Sequence, residues 1–163
     1  MIEGRAHTAG LSDAAHAEIR RLAGLYEHRQ SALLPALFVA QGETGWLTPA
    51  ALQEVADILA LPLSEVISVA SFYHLLHLEP VGRHVIQVCT NLSCMLNGCA
   101  KVLQEFQDRL GVAPGETTPD RRFTLKTAEC LAACEEAPVL LIDEDRHARI
   151  NTAGVDELLK RYP

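Results

Sequence analysis

Apolar positions in the first half of the chain recur at helical spacing. Ala15, Ile19, Leu22 and Tyr26 follow at intervals of four, three and four, and Ser12 stands where an N-cap belongs. Ser31 opens a second helical run through Leu34, Leu37 and Phe38, in which Pro35 is tolerated because it falls in the first turn. Gly42-Glu43-Thr44-Gly45 reads as a turn. Thr48 before Pro49 is a strong helix start, and Leu52, Val55 and Leu59 form the apolar face that follows. Leu61-Pro62-Leu63 breaks this helix. Ser64 then caps another, running to His77 with Val66, Val69, Ala70 and Tyr73 turned inward.

Past residue 80 the period changes. His84 to Val88 is short and β-branched, the signature of a buried strand. Leu96 to Leu110 returns to helical spacing, with Val102, Leu103, Phe106 and Leu110 on one face and Gly111 as the stop. Gly115 to Asp120 is loop, and Arg122 to Thr127 alternates as a strand. Pro138 to Ile142 is a nearly continuous apolar strand. Asp143-Glu144-Asp145 turns into a short strand at His147 to Ile150, and a last helix covers about Thr152 to Arg161. The order β-α-β-β-β-α places helices against a small sheet. The whole is an α+β chain, with a helical part at 1–80 and a mixed part at 81–163.

Composition narrows the function. The chain has 163 residues, 48% of them apolar and 21% charged, as in an ordinary globular protein of one or two small domains. Lys and Arg total 14 against 21 Asp and Glu, a net charge of -7, which disfavours nucleic acid and anionic lipid as partners. Thr48 to His77 has the outline of a helix-turn-helix, but Ser64 to His77 carries no Lys or Arg to meet phosphates. The longest apolar stretch, near Ala32 to Ala40, is interrupted by Pro35 and falls short of the roughly 20 residues of a membrane span. With no export signal visible, the cytosol is the expected compartment, where thiols stay reduced. Ile2-Glu3-Gly4-Arg5 reads like a protease-recognition sequence and equally like native sequence.

All five cysteines lie in the second part. Cys89 and Cys94 are separated by four residues, Cys130 and Cys134 by three, and 35 residues lie between the pairs. Each pair follows a predicted strand, so loops from two adjacent strands can converge. Four thiolates suit a [2Fe–2S] cluster, two per iron. Zinc takes four cysteines as well but favours shorter knuckles, and buried unrelated thiols are the third reading. Cys99 is the spare. In a continuous helix it lies about 7 Å along the axis from Cys94, and it reads as a small buried apolar side chain in preference to a fallback ligand. His74 and His77, three apart, read as a helix surface rather than a ligand pair. No G-x-G-x-x-G fingerprint is present, so hydride chemistry is expected on another chain.

The runs Cys89 to Gly98, Gly115 to Asp120 and Glu129 to Val139 together resemble the thioredoxin-like [2Fe–2S] subunit of NADH-quinone oxidoreductase, the E subunit of bacterial respiratory complex I. Val69 to Tyr73, Pro80 to Gly82 and Gln41 to Trp46 are similar to that family too, and the likeness covers about residues 12 to 161. It implies an N-terminal helical bundle followed by a thioredoxin-like ferredoxin domain, with one [2Fe–2S] cluster on Cys89, Cys94, Cys130 and Cys134. It implies a flavoprotein partner that binds FMN and NADH within a larger respiratory complex, peripheral on the cytoplasmic side of the inner membrane without inserting into it. Related subunits serve soluble NAD-linked hydrogenases and formate dehydrogenases. Two departures stand out: Ala132 and Ser68 occupy positions where the family often has glycine, and alanine is strained at Ala132 if that position needs a positive φ. The helix after Cys94 is expected to aim its N-terminal N–H groups at the cluster. Glu135 and Glu136 are expected to oppose its reduction.

Overall fold

Ser12 caps the first helix as its spacing requires. Its hydroxyl accepts the N–H of Ala15, and α1 runs Asp13–Ala23 with Ala15 and Ile19 buried. This computed structural model describes residues 10–163, so Ile2 to Arg5 lie outside the described residues. Tyr26 lies past the end of α1 and is exposed, because Gly24 closes the helix. A 3-10 turn at Arg29–Ala32 leads into α2, Leu33–Thr44, so Ser31 precedes the α-helix without capping it. Gly42 to Thr44 are helical and not a turn. Only Gly45, at φ 80, leaves the helix.

Thr48 caps α3, Pro49–Leu59, accepting the N–H of Ala51, and Leu52, Val55 and Leu59 are buried. The next helix, α4, spans Leu63–Phe72. It begins before Ser64 because the Pro62 carbonyl already accepts the N–H groups of Glu65 and Val66. It ends before Tyr73 because tertiary bonds capture the segment beyond. The Gln41 side chain donates to the Leu75 carbonyl at 2.9 Å and accepts the His77 N–H at 2.6 Å, and Leu47 N–H donates to the His77 carbonyl. His74 and His77 therefore share no helical face, and His77 is buried. Glu54 ties α3 to α1, with its carboxylate 2.6 Å from His16 Nε2 and accepting the Leu11 N–H. The four helices bury one apolar core of their own.

The chain divides into two compact units, one ending at Pro80 and one spanning Val81–Pro163. The second unit holds β1 (His84–Cys89), α5 (Leu92–Leu96), α6 (Cys99–Leu110), β2 (Phe123–Ala128), β3 (Val139–Ile142), β4 (Asp145–Ala148) and α7 (Val155–Lys160). Sheet order is β2-β1-β3-β4, with β1 parallel to β2 and the remaining pairs antiparallel. Each of Val85 to Cys89 is buried, as befits a central strand. Cys99, Val102 and Phe106 of α6 and Val155 and Leu158 of α7 complete this second core.

The long helix expected from Leu96 to Leu110 is two helices. Gly98 adopts φ 90 and separates α5 from α6, a conformation that glycine takes without steric cost. Gly111 closes α6 at φ 68. Among the described residues, no single helix is long and apolar enough to cross a membrane. The bent pair α3–α4 turns by 120° at its break and buries its apolar face in the helical core.

Candidate metal centre

Parallel pairing decides where the two cysteine loops meet. Strands β1 and β2 run side by side in the same direction, and their last residues, Cys89 and Ala128, are register partners. Both chains leave the sheet at the same end. Thr90 follows Cys89 and stitches the exits together, its N–H donating to the Ala128 carbonyl at 2.9 Å. The Cys89 thiol points the same way, with its Sγ 3.9 Å from the Glu129 carbonyl oxygen, one residue before Cys130. On the other side, α5 carries Cys94 and packs against the 3-10 turn Cys134–Glu136. The β1 loop and the β2 loop thus converge, and with them the two cysteine pairs.

Local backbone shapes each sulfur's surroundings. Ala132 N–H donates to Cys130 Sγ at 3.3 Å. The turn that makes this possible holds Ala132 at φ 53, so the position does require the left-handed conformation. Val139, the first residue of β3, aims its N–H at the Cys94 sulfur, and Cys94 is also within hydrogen-bonding reach of Cys89. Neither amide contact is readable from spacing, because each depends on where a distant strand begins or a loop turns.

The site is half core and half surface. Cys89 and Cys94 are 3% and 2% exposed, whereas Cys130 and Cys134 are exposed. Burial pushes the Cys94 thiol up to about 11, and the neighbouring Cys89 and Cys99 push in the same direction. Two adjacent buried thiolates are unfavourable without a compensating cation, and a metal that neutralises them removes that penalty. Among the described residues, no three His, Cys, Asp or Glu side chains are gathered tightly enough to hold a single metal ion. Four thiols, two from each loop, are the type of donor set that a two-iron core takes.

The surroundings of the cysteines differ from the sequence-based expectation in two places. Cys94 sits inside α5, and the helix that follows starts only at Cys99, after the Gly98 break. Cys99 is therefore not a turn and a half further along a continuous helix. It opens α6, is 3% exposed, and lies near enough to Cys89 and Cys94 for their charges to interact. The Asn97-Gly98 dipeptide is the sequence signal that marks this break. Of the acidic pair, Glu135 is exposed, while the Glu136 carboxylate lies 3.1 Å from the Arg146 guanidinium.

Residues 19–163 match the family described as thioredoxin-like [2Fe–2S] ferredoxin. The E 2 subunit of NADH-quinone oxidoreductase from Rhizobium meliloti (strain 1021) is 46% identical over 145 residues, covering 89% of this chain and 86% of that protein. The E subunit of the same oxidoreductase from Escherichia coli (strain K12) is 40% identical over 137 residues, 84% of this chain and 82% of that protein. Among solved structures, the NAD+-reducing [NiFe]-hydrogenase in its air-oxidized state superposes with a TM-score of 0.70 at 28% identity, over 80% of this chain and 22% of that longer one. The chain belongs to the thioredoxin-like [2Fe–2S] ferredoxin family, as a one-cluster electron-transfer chain of the kind found as the E subunit of NADH-quinone oxidoreductase.

Proposed function

We propose that Cys89, Cys94, Cys130 and Cys134 hold the [2Fe–2S] cluster. The chain then exchanges single electrons with the FMN of an NADH-oxidising flavoprotein subunit in NADH-quinone oxidoreductase, respiratory complex I. The observation that carries this reading is the convergence of the two cysteine loops at one end of the parallel β1–β2 pair. When bound, such a cluster supplies one reversible electron at a potential set by hydrogen bonds to sulfur, burial and nearby charge.

The chain's own residues provide those settings. Ala132 and Val139 point N–H groups at two of the four sulfurs, which stabilises added negative charge. Core packing holds Cys89 and Cys94 away from water, while the exposed Cys130 and Cys134 bring one side of the site to the surface, where a partner's cofactor can approach. No acid or base is required for this step. Within that complex the chain sits on the cytoplasmic face of the inner membrane, as a peripheral subunit.

The likeness to a NAD+-reducing hydrogenase supports a second reading, the equivalent subunit of a soluble NAD-linked hydrogenase or formate dehydrogenase. Anaerobic purification with native partners separates the two. Iron and sulfide in near-equal amounts, an EPR signal on reduction, and co-purification with quinone-reducing NADH oxidation support the complex I role. Hydrogen- or formate-linked NAD reduction in the same preparation supports the second. Zinc in place of iron rejects both and leaves a zinc-stabilised adaptor. Cys→Ala substitution of each ligand tests the assignment one residue at a time.

A further inference from the structure

The basic residues of the helical unit are few and gathered. From residue 10 to residue 80 the chain has Arg20, Arg21 and Arg29 and no other Lys or Arg. Arg20 and Arg29 line one groove of about 380 Å³, together with Ala23, Gly24 and Ile58. The groove draws on the end of α1, the start of the 3-10 turn and the end of α3. None of its lining residues is acidic. Arg21 is paired with Glu18 at 2.7 Å, whereas among the described residues neither Arg20 nor Arg29 makes an ion pair. The helix explains this for Arg20. Its neighbours one turn away are His16, Ala17, Ala23 and Gly24, none of them a carboxylate. Nor do the last carbonyls of α1 claim the guanidinium, because those of Arg20 and Arg21 accept the Gly24 N–H and that of Leu22 accepts the Leu25 N–H.

We propose that this groove binds the phosphate group of a small ligand, held by Arg20 and Arg29. Guanidinium meets phosphate through paired N–H donors, so two of them on one groove recognise a multiply charged phosphate better than a single carboxylate. The volume lies within the range of small-molecule sites, about 300–1,000 Å³, and exceeds what a lone phosphate fills. Ala23 and Ile58 offer an apolar wall to the remainder of the ligand. A nucleoside diphosphate has both parts, and free phosphate shares the charged one. The net charge of -7 repels anions from the surface at large, which makes a groove with two unpaired arginines stand out. The groove belongs to the helical unit, and its occupancy is independent of the cysteine ligands.

The test is isothermal titration calorimetry on the full-length chain at low salt, with ADP and inorganic phosphate as separate probes. Wild type is compared with Arg20→Gln, Arg29→Gln, Arg20→Gln/Arg29→Gln and Arg21→Gln, and far-UV circular dichroism checks that each variant folds. ADP is expected to bind wild type. Each single change at Arg20 or Arg29 is expected to weaken it by roughly tenfold, the loss of one charge-assisted contact, and the double variant to show no measurable binding. Arg21→Gln removes an adjacent arginine that faces Glu18 at the surface, and is expected to leave the affinity within about twofold of wild type. ADP binding tighter than phosphate supports a nucleotide as the source of the phosphate group. Equal affinities with the same dependence on Arg20 and Arg29 support free phosphate. No binding of either probe to wild type, unchanged binding in the double variant, or an equal loss in Arg21→Gln overturns the proposal.

Discussion

Ala132 shows how much a single backbone angle matters here. At φ 53 an L-residue with a Cβ is destabilised by about 1–2 kcal/mol, which glycine avoids, although glycine loses up to about 1 kcal/mol through the freer unfolded chain. Ala132→Gly should hold or slightly raise the Tm of the cluster-loaded protein, whereas Ala132→Val, β-branched in the same conformation, should lower it clearly. The two acidic residues beside Cys134 are not equivalent. Glu136 is partly neutralised by Arg146, and Glu135 is not. Glu135→Gln should therefore raise the midpoint potential more than Glu136→Gln, and Arg146→Gln should lower it by uncovering Glu136. A redox titration in which Glu135→Gln shows no rise would refute this account. The Cys94 thiol, pushed from 9.0 to about 11, keeps its proton in the folded apoprotein while the unfolded chain loses its own. The unfolded state then binds fewer protons, so stability falls as pH climbs through that window. Thermal melts of the apoprotein should decline between about pH 9 and pH 11, and in Cys94→Ala this decline should shrink.

At the scale of elements, the start of the central strand pair is the tightest joint. Gly82 sits just before β1, and its N–H donates to Thr124 Oγ1 at 2.7 Å. A Cβ there would stand 2.8 Å from the backbone carbon of Phe123 and 3.0 Å from that of Arg122. Backbone cannot swing aside as a side-chain tip can. Gly82→Ala should cost about 1–3 kcal/mol, as overpacking generally does, and should loosen the β1–β2 pairing that aligns the two cysteine loops. Protection of the Thr90 amide against hydrogen exchange reports on that pairing directly, and unchanged protection in Gly82→Ala would count against the coupling. The short α5 is the opposite case, a helix with three exposed apolar side chains beside a buried cysteine. It is held by the buried Cys94 and by packing against α6 and the Cys134–Glu136 turn.

For the whole molecule, the two units divide the labour. The second contains all five cysteines, and the first contains none. We propose partner binding as the role of the helical unit, with Phe72 and Tyr73 as its candidate anchors. They are 79% and 40% exposed and meet edge to face at 5.1 Å. Exposed aromatic pairs are the residue types that dominate protein interfaces. Phe72→Glu should weaken co-purification with the flavoprotein subunit by roughly tenfold or more, with iron content unchanged because the cluster belongs to the other unit. Undiminished co-purification would remove the docking role from this patch.

Much of this protein is local in origin and therefore legible residue by residue. Ser12 and Thr48 cap their helices, Gly111 ends α6, and the order of strands and helices, apart from the split between α5 and α6, follows from periodicities that each segment carries itself. The two cysteine pairs at strand ends, and the family they resemble, are readable in the same way. What required the tertiary structure was everything set by a partner distant in sequence. Gln41 and Leu47 end α4 early by capturing the chain beyond it, so His74 and His77 lose the helix that their spacing suggests. The parallel register of Cys89 with Ala128 brings two loops together from opposite sides of a long intervening segment. Val139 supplies an N–H to a sulfur 45 positions earlier in the chain. The spare cysteine changes most. Spacing places it along a straight helix, and one left-handed glycine makes it instead the buried first residue of a separate helix. Periodicity reports which residues share a face of an element, but hydrogen bonds and packing between elements decide where that element stops and what it meets.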